Sequence, residues 1–488
     1  MRHCPIVSHL TAHPTVAQTT MVDELATSLL REHRELAPPA PGKVMIPELL
    51  GREPTLHIDD LTMIQRTRVN ADTRFYQERA RLRAGNGDLV LTTSPVSTDY
   101  EAYCRDQLGL GDVLWLHPHT SDISQHVAEA SWADVQVRSE LVQRLRTGRL
   151  TYLHPHMGSP AIWNLAQLLS DAAKVPIKVI APHANLARWV NDKIAFAEVV
   201  TRLFGCGAVP RCRSAGNLAK LSECVRELSR TSAAIGIKLP SAAGGEGTIV
   251  LPADEITDLT LQEIRDRLSK LVNVIQWHGD CKVLVNSWEE DVLMSPSVQL
   301  WIPPRREGGP VLEGLFSQLI ERKEGIFVGS APVELPDKAT QQITIQAWMI
   351  GRLFQRLGYV GRCSFDMVLV GKELEDSRIE FIECNGRWGG TSGPMTLMNR
   401  LFGDWKSQPY VTRVCESYLL ASIGVPRLLS QLDRALWDAR TGLGCLIITS
   451  PGRMVTASAL DVISIGNDTA EALRNLDSSF WNVIGCDQ

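Results

Sequence analysis

Five functional side chains share one period-two face of GRCSFDMVLVGKELEDSRIEFIECNGRWGG, residues 361–390. Two β-rich runs flank the charged, turn-like GKELEDS, so the segment reads as an antiparallel hairpin. Closure about the midpoint of Leu374 and Glu375 sets Asp366 opposite Glu383, and Asn385 falls two residues along on the same face. The same parity places Arg362 and Arg387 there, whereas Cys363, Phe365, Met367 and Leu369 take the opposite, apolar face. Facing carboxylates repel by roughly several tenths of a kcal/mol in a sheet, and removing them from water raises at least one pKa unless a cation compensates. Asp366, Glu383 and Asn385 form an all-oxygen donor set, which suits Mg²⁺ or Mn²⁺ together with water and substrate phosphates. Arg362 and Arg387, stacked at one level, call for an anion between them, and a phosphate fits. The competing reading, a solvated polar face on an edge hairpin, leaves five groups on one side without a task.

Two further segments carry chemistry of the same kind. In AAIGIKLPSAAGGEGTIVL (residues 233–251) an apolar strand ends at Lys238, a loop carries Gly244, Gly245 and Gly247, and a second strand follows. Glycines admit close backbone approach, their N–H groups cradle phosphate, and the lysine adds a point charge; an ordinary glycine-rich hairpin turn is the alternative. Upstream, Lys193 opens a helix with an inward apolar stripe and by itself would be an ordinary exposed lysine. In KVLVNSWEEDVLMSPSVQLWI (residues 282–302) a β-branched run ends in an acidic passage. Backbone groups around Asn286, Ser287 and Trp288 could bond an adenine edge there, with Glu289 or Glu290 on the ribose, or the passage is a plain surface connection.

These groups need a scaffold, and the rest of the chain bounds it. A length of 488 residues gives room for about two to four domains without disulfide staples. Fifty basic against 55 acidic residues, a net charge of −5, speaks against a nucleic-acid or membrane-surface binder. No apolar run approaches the roughly 18 residues of a spanning helix. The first 20 residues lack an apolar signal core and read as a loose polar terminus. Eleven scattered cysteines without a CxxC pair fit buried thiols in a reducing compartment, so the cytoplasm is the expected location. LAPPAPGK, residues 36–43, reads as a hinge between a leader helix and the body. There is no GxxxxGK[ST], HExxH, GxSxG or HRD set, which removes the primary evidence for P-loop NTPases, zincins, common serine hydrolases and kinases.

Between residues 88 and 181, short apolar runs (LVLTT, DVLWLHP, LTYLHP, IKVIAP) alternate with helical patterns at 123–146 and 160–173, the signature of a layered parallel sheet. This third is Rossmann-like in shape but has no strand-linked GxGxxG, so a dinucleotide site has no fingerprint. WLHPHT and YLHPHMGSP place His117, His119, His154 and His156 just after two strands expected to be neighbours, where four imidazoles could converge on a transition metal. Proline inside each pair instead marks loop termini at the sheet's carboxyl edge, and no carboxylate or cysteine stands at ligand spacing. Loops so placed border a substrate entrance. From residue 191 on, helices interleave with hairpin-like strand pairs, an α+β pattern.

The order of these elements resembles the ATP-grasp superfamily: a first lysine (Lys193), a second lysine with a glycine-rich loop (Lys238 and SAAGGEG), a hinge (VNSWEE), then Asp366 and the ECN signature at Glu383 and Asn385. The resemblance covers roughly 191–404, and SQLIERKEGIFVGSAPVELP with FIECNGRWGGTSGP looks like the carboxylate-amine ligase branch. The tail GLGCLIITSPGRMVTASALDVISIGNDTAEAL looks like the C-terminal domain of peptide ligases of the pheganomycin type. The fold so implied combines α/β and α+β architecture. A leader and linker (1–42) precede a Rossmann-like pre-ATP-grasp domain (43–190). A small lobe with its lid (191–290), a large lobe with the metal site (291–404) and a C-terminal region (405–488) follow.

The resemblance also implies an activity. A carboxylate would attack the γ-phosphate of ATP to give an acyl phosphate and ADP, and an amine would displace phosphate to form an amide. Lys193 and Lys238 would bind nucleotide phosphates, Arg362 and Arg387 would stabilise the transferring group, and the GGTSGP backbone or Ser392 would face the acyl phosphate unless that stretch is a plain turn. Partners would be small carboxylic acids, amines or peptides, with a homodimer common among relatives. One departure is Asn286, where many relatives have glutamate. The rival readings are a nucleotide-binding module without turnover and a ligase using a non-peptide acceptor.

Overall fold

The computed structural model describes residues 5–38, 44–61, 64, 74–120, 122, 124–242, 245, 247–321 and 325–485. Near the N-terminus six strands form a wholly parallel sheet, in spatial order Val44–Met45, Ile177–Val179, Tyr152–Pro155, Thr55–Ile58, Leu89–Leu91 and Leu114–Leu116. Strands covered on both faces read as continuous apolar runs, and Leu56, Ile58, Leu89, Leu91, Leu153, Ile177 and Val179 are all buried here. The crossover helices start where the sequence provides caps: Asp134 accepts from the first-turn amides of Val135–Arg146, and Ser159 precedes a proline-led Pro160–Ala173. The expected layered parallel sheet is therefore present.

A four-stranded antiparallel sheet follows, in order Cys212–Ala215, Val283–Trp288, Ala234–Lys238 and Thr248–Pro252, backed by helices Leu218–Ser229 and Leu261–Leu271. The second helix begins with a reciprocal Thr260/Glu263 capping box. A larger antiparallel sheet of nine strands runs Val292–Met294, Gly361–Val370, Pro296–Ile302, Val311–Glu321, Ile326–Pro332, Tyr410–Glu416, Ala459–Ile465 and Leu446–Ile448, with Arg378–Asn385 paired to Gly361–Val370. The C-terminal strands thus extend this sheet. Its apolar face packs on helix Asp337–Arg356.

The N-terminal segment corrects one expectation. Thr15 and Gln18 form a capping box that starts helix Val16–Glu32, whose Val22, Leu25, Ala26 and Leu29 are buried against the large sheet's core. Asp23 holds Arg356 through two 2.6 Å bonds, and Leu10 bridges to Leu312. Residues 5–20 are therefore anchored: a cap and a four-residue apolar stripe outweigh the segment's polar composition. The linker's residues 39–43 lie outside the described residues. The nine described cysteines carry free thiols. No helix among the described residues is long and apolar enough to cross a membrane.

Candidate active site between the lobes

The hairpin closes with Ser364 opposite Asn385 and Asp366 opposite Glu383, then slips by one residue so that Met367 faces Phe381. That bulge lies immediately beside the paired carboxylates, a common place for one next to a functional site. Asp366 Oδ1 accepts from Ser297 Oγ at 2.7 Å and Oδ2 from Asn385 Nδ2 at 2.9 Å. Burial, reinforced by the Glu383 charge, pushes the Asp366 carboxyl up to about 6. Burial opposes the charge on Glu383 too, but Lys193, Arg387 and Lys238 outweigh it and hold Glu383 below the ordinary carboxylate range.

Lys193 begins helix Lys193–Phe204, which Asp192 caps through the amides of Ile194 and Ala195. Its Nζ lies 2.8 Å from Glu383 Oε2 and donates to Ala242 O in the glycine-rich loop at 2.5 Å. Lys238 ends its strand buried, 5.1 Å from the Trp288 ring centroid, and burial lowers its ammonium to about 8. In the loop, Gly245 has φ +82° and a Cβ there would meet Gly325 O at 2.8 Å, so glycine is required for the loop to lie against the large lobe. Gly247, at φ +72°, has a similar need; Gly244 falls outside the described residues.

Between the small sheet and the hairpin lies a cleft walled by Ala197, Val209, Leu284 and Phe381 and edged by Lys238 and Asn286. Asn286 Nδ2 bonds the Ser287 carbonyl at 2.5 Å, while its buried Oδ1 has no partner among the described residues. Apolar walls with a few polar groups, ending at Lys238, suit a flat heteroaromatic base followed by phosphates. The carboxylate set fits a divalent cation: Asp366 is held protonatable by burial and a like charge, and an ion between it and Glu383 removes that penalty.

Comparisons with known proteins bear on the fold that carries these residues. The sequence profile of the Pre ATP-grasp domain matches residues 77–170. No curated protein matches the chain. Among solved structures, an ADP complex of N5-carboxyaminoimidazole ribonucleotide synthetase superimposes with a TM-score of 0.54 at 14% identity, over 89% of this chain and 98% of that one. The ADP complex of N5-carboxyaminoimidazole synthetase from Staphylococcus aureus gives 0.53 at 10% identity, over 89% and 100%. A biotin carboxylase complex from Campylobacter jejuni gives 0.51 at 13%, over 87% and 90%. The chain has the ATP-grasp fold.

Within that fold the candidate residues do not all converge. Asp366, Glu383, Asn385, Lys193 and Lys238 meet around the ATP-grasp cleft, and Arg387 joins them, its guanidinium bonded to Asn191 Oδ1. Arg362 shares the face that parity gives it, but its guanidinium is paired with Glu313, both buried, between the rings of Trp301 and Trp388. Its charge is met by this acid two strands away across the sheet. At the hinge, Ser287 Oγ donates to Glu289 Oε1 at 3.0 Å and Arg378 lies 3.2 Å from Glu289 Oε2, while Glu290 is exposed. Ser392 Oγ accepts from Gly389 N at 2.7 Å and so serves its own turn.

The histidine pairs also separate. Their strands are not neighbours: Thr55–Ile58 and Leu89–Leu91 lie between. His117 and His119 are exposed, whereas His154 and His156 are buried beside Trp388. Among the described residues no three His, Cys, Asp or Glu side chains gather so as to hold a metal ion by themselves. The sequence reading missed Ser297, Asn191 and the apolar walls of the cleft. A serine beside alternating apolar residues and an asparagine before a helix cap are the only local signals they leave.

Proposed function

We propose that this protein is an ATP-dependent carboxylate-amine ligase that forms an amide or peptide bond, with ATP as co-substrate and Mg²⁺ as metal. The observation that carries the reading is the meeting of Asp366, Glu383 and Asn385 with Lys193 and Lys238 at the mouth of an apolar cleft. A carboxylate oxygen of the acid attacks the γ-phosphorus, the bond to the β-phosphate oxygen breaks, and ADP leaves. The amine nitrogen then attacks the acyl carbon, the carbon–oxygen bond to phosphate breaks, and the nitrogen gives up a proton. Asp366, Glu383 and Asn385 would hold the ion, which when bound neutralises phosphate charge. Lys193 and Lys238 bind the phosphates, and Arg387 stabilises charge on the transferring group by preorganised electrostatics. The loop carrying Gly245 and Gly247 excludes water from the acyl phosphate. The tail at 405–488 favours a peptide ligase of natural-product pathways.

The test is a phosphate-release screen of candidate acids with amines, followed by mass measurement of the product. ADP is expected only when both an acid and an amine are supplied. ATP binding without turnover across amino-acid, peptide and non-peptide acceptors would overturn the ligase reading in favour of a nucleotide-binding module.

A further inference from the structure

A second cleft opens where the carboxyl edge of the parallel sheet meets the turn after Arg387. Asp59, Arg79, Arg83, Trp388, Gly389 and Gly393 line it. Arg83 is 2% exposed. It pairs with Asp59, donates to His154 O at 3.2 Å and lies 4.8 Å from the Trp388 ring centroid, yet its buried Nε has no partner among the described residues. Arg79 donates to Gly389 O at 3.1 Å. Gly393 lies in the first turn of helix Ser392–Phe402, eleven residues long and without a side-chain cap, and Gly389 in the turn that leads into it. Among the described residues lining the cleft, two guanidinium groups against one carboxylate leave one positive charge over, and the uncapped helix end adds to it. His154 and His156 beside them are neutral at pH 7, since burial lowers both. The cleft is therefore built for an oxyanion, with a planar ring for one wall.

Its position says which oxyanion. On the ligase reading, on which this inference rests, the leaving phosphate lies toward Lys193 and Lys238. The amine adds to a face of the planar acyl group, and with nucleotide filling the lysine side it enters from the carboxyl edge of the parallel sheet, beside Trp388. We propose that this cleft holds the non-reacting carboxylate of the amine substrate, so that the acceptor is an amino acid or a peptide with a free carboxylate. Arg79 and the free Nε–H of Arg83 donate to it, and the apolar body of the acceptor lies along Trp388.

The experiment is calorimetric titration of the full chain, with Mg²⁺ and a non-hydrolysable ATP analogue, using the common amino acids and glycyl dipeptides, each beside its carboxamide. At least one free acid should bind tenfold or more tightly than its amide, and Arg79→Gln should erase that ratio while analogue affinity stays within twofold. Gly393→Ala, whose added methyl lies 4.0 Å from Arg79 Nη2 with no closer neighbour, should weaken the same ligands without changing charge. Ratios within twofold for every pair, a preference that survives Arg79→Gln, or acetate binding as tightly as the best amino acid would overturn the assignment. In turnover, Arg79→Gln should raise KM for the amine alone; a rise confined to the acid also overturns it. Failure of the ATP analogue to bind would count against the ligase reading, and the same titrations without nucleotide would still read the cleft.

Discussion

Lys193 Nζ stands 2.8 Å from Glu383 Oε2, joining the first residue of a helix packed on the large sheet to a strand of that sheet 190 positions later. The pair sits where nucleotide phosphates and a metal ion would meet, so the ammonium holds the carboxylate ionised before either arrives. Glu383→Gln keeps an acceptor for Lys193 and removes the charge. ADP formation should fall by about 10²- to 10³-fold, with Mg²⁺ dependence shifted to higher concentration and the unfolding temperature little changed. Activity within a few-fold of the parent would refute the metal assignment.

Lys238 gives a pH signature of nucleotide binding. Burial lowers its ammonium to about 8, whereas phosphate binding favours the charged form and raises it. Above pH 8 the free protein must take up a proton as ATP binds, so affinity should decline by up to about tenfold per pH unit there. Calorimetry with an ATP analogue in two buffers of different ionisation enthalpy reads this uptake directly. Lys238→Met should abolish the uptake and weaken binding; a proton count unchanged in that variant would remove Lys238 from the site.

What could be read locally was read because the side-chain period of a strand is two. That rule sets Asp366 against Glu383 without any knowledge of the remaining chain, and the pairing holds. The slip one residue later obeys no such rule, since a bulge is a backbone accommodation to neighbours. Parity likewise gives Arg362 its face but not its partner: Glu313 lies two strands away in a sheet whose order is not sequential. The same gap separated the histidine pairs, whose strands follow each other in pattern but not in space. A leader helix is expected before the hinge, but the polar composition of the first 20 residues conceals that it starts as early as the Thr15/Gln18 capping box.

Glu78 provides a stability test far from the cleft. It is 7% exposed, accepts from Gly452 N, and burial, with Asp461 adding to it, raises its carboxyl to about 8. A carboxyl raised in the folded state contributes stability fully present below its unfolded value near 4.5 and lost as pH rises through about 8. The parent should lose roughly 4 kcal/mol from this group between pH 5 and pH 9. Glu78→Gln retains an acceptor and cannot ionise, so its unfolding temperature should exceed the parent's at pH 9 and match it near pH 5. Parallel curves for the two proteins would show that Glu78 is not the group responsible.

Arg362 and Glu313 allow catalysis and architecture to be told apart. Both are buried, paired with each other, and the guanidinium is sandwiched by Trp301 and Trp388. Removing one member strands the other charge away from water, at a cost of about 3–5 kcal/mol, whereas replacing both with apolar groups of similar volume is often neutral. Arg362→Met and Glu313→Leu should each lower the unfolding temperature sharply, and the double variant should recover most of the loss. If Arg362 only supports Trp388, ADP formation in the double variant should return to within about tenfold of the parent. If instead its charge acts on the transferring phosphoryl group, the double variant would be stable and still lack at least 10²-fold in rate. The burial of both members of the pair makes recovery the expected result.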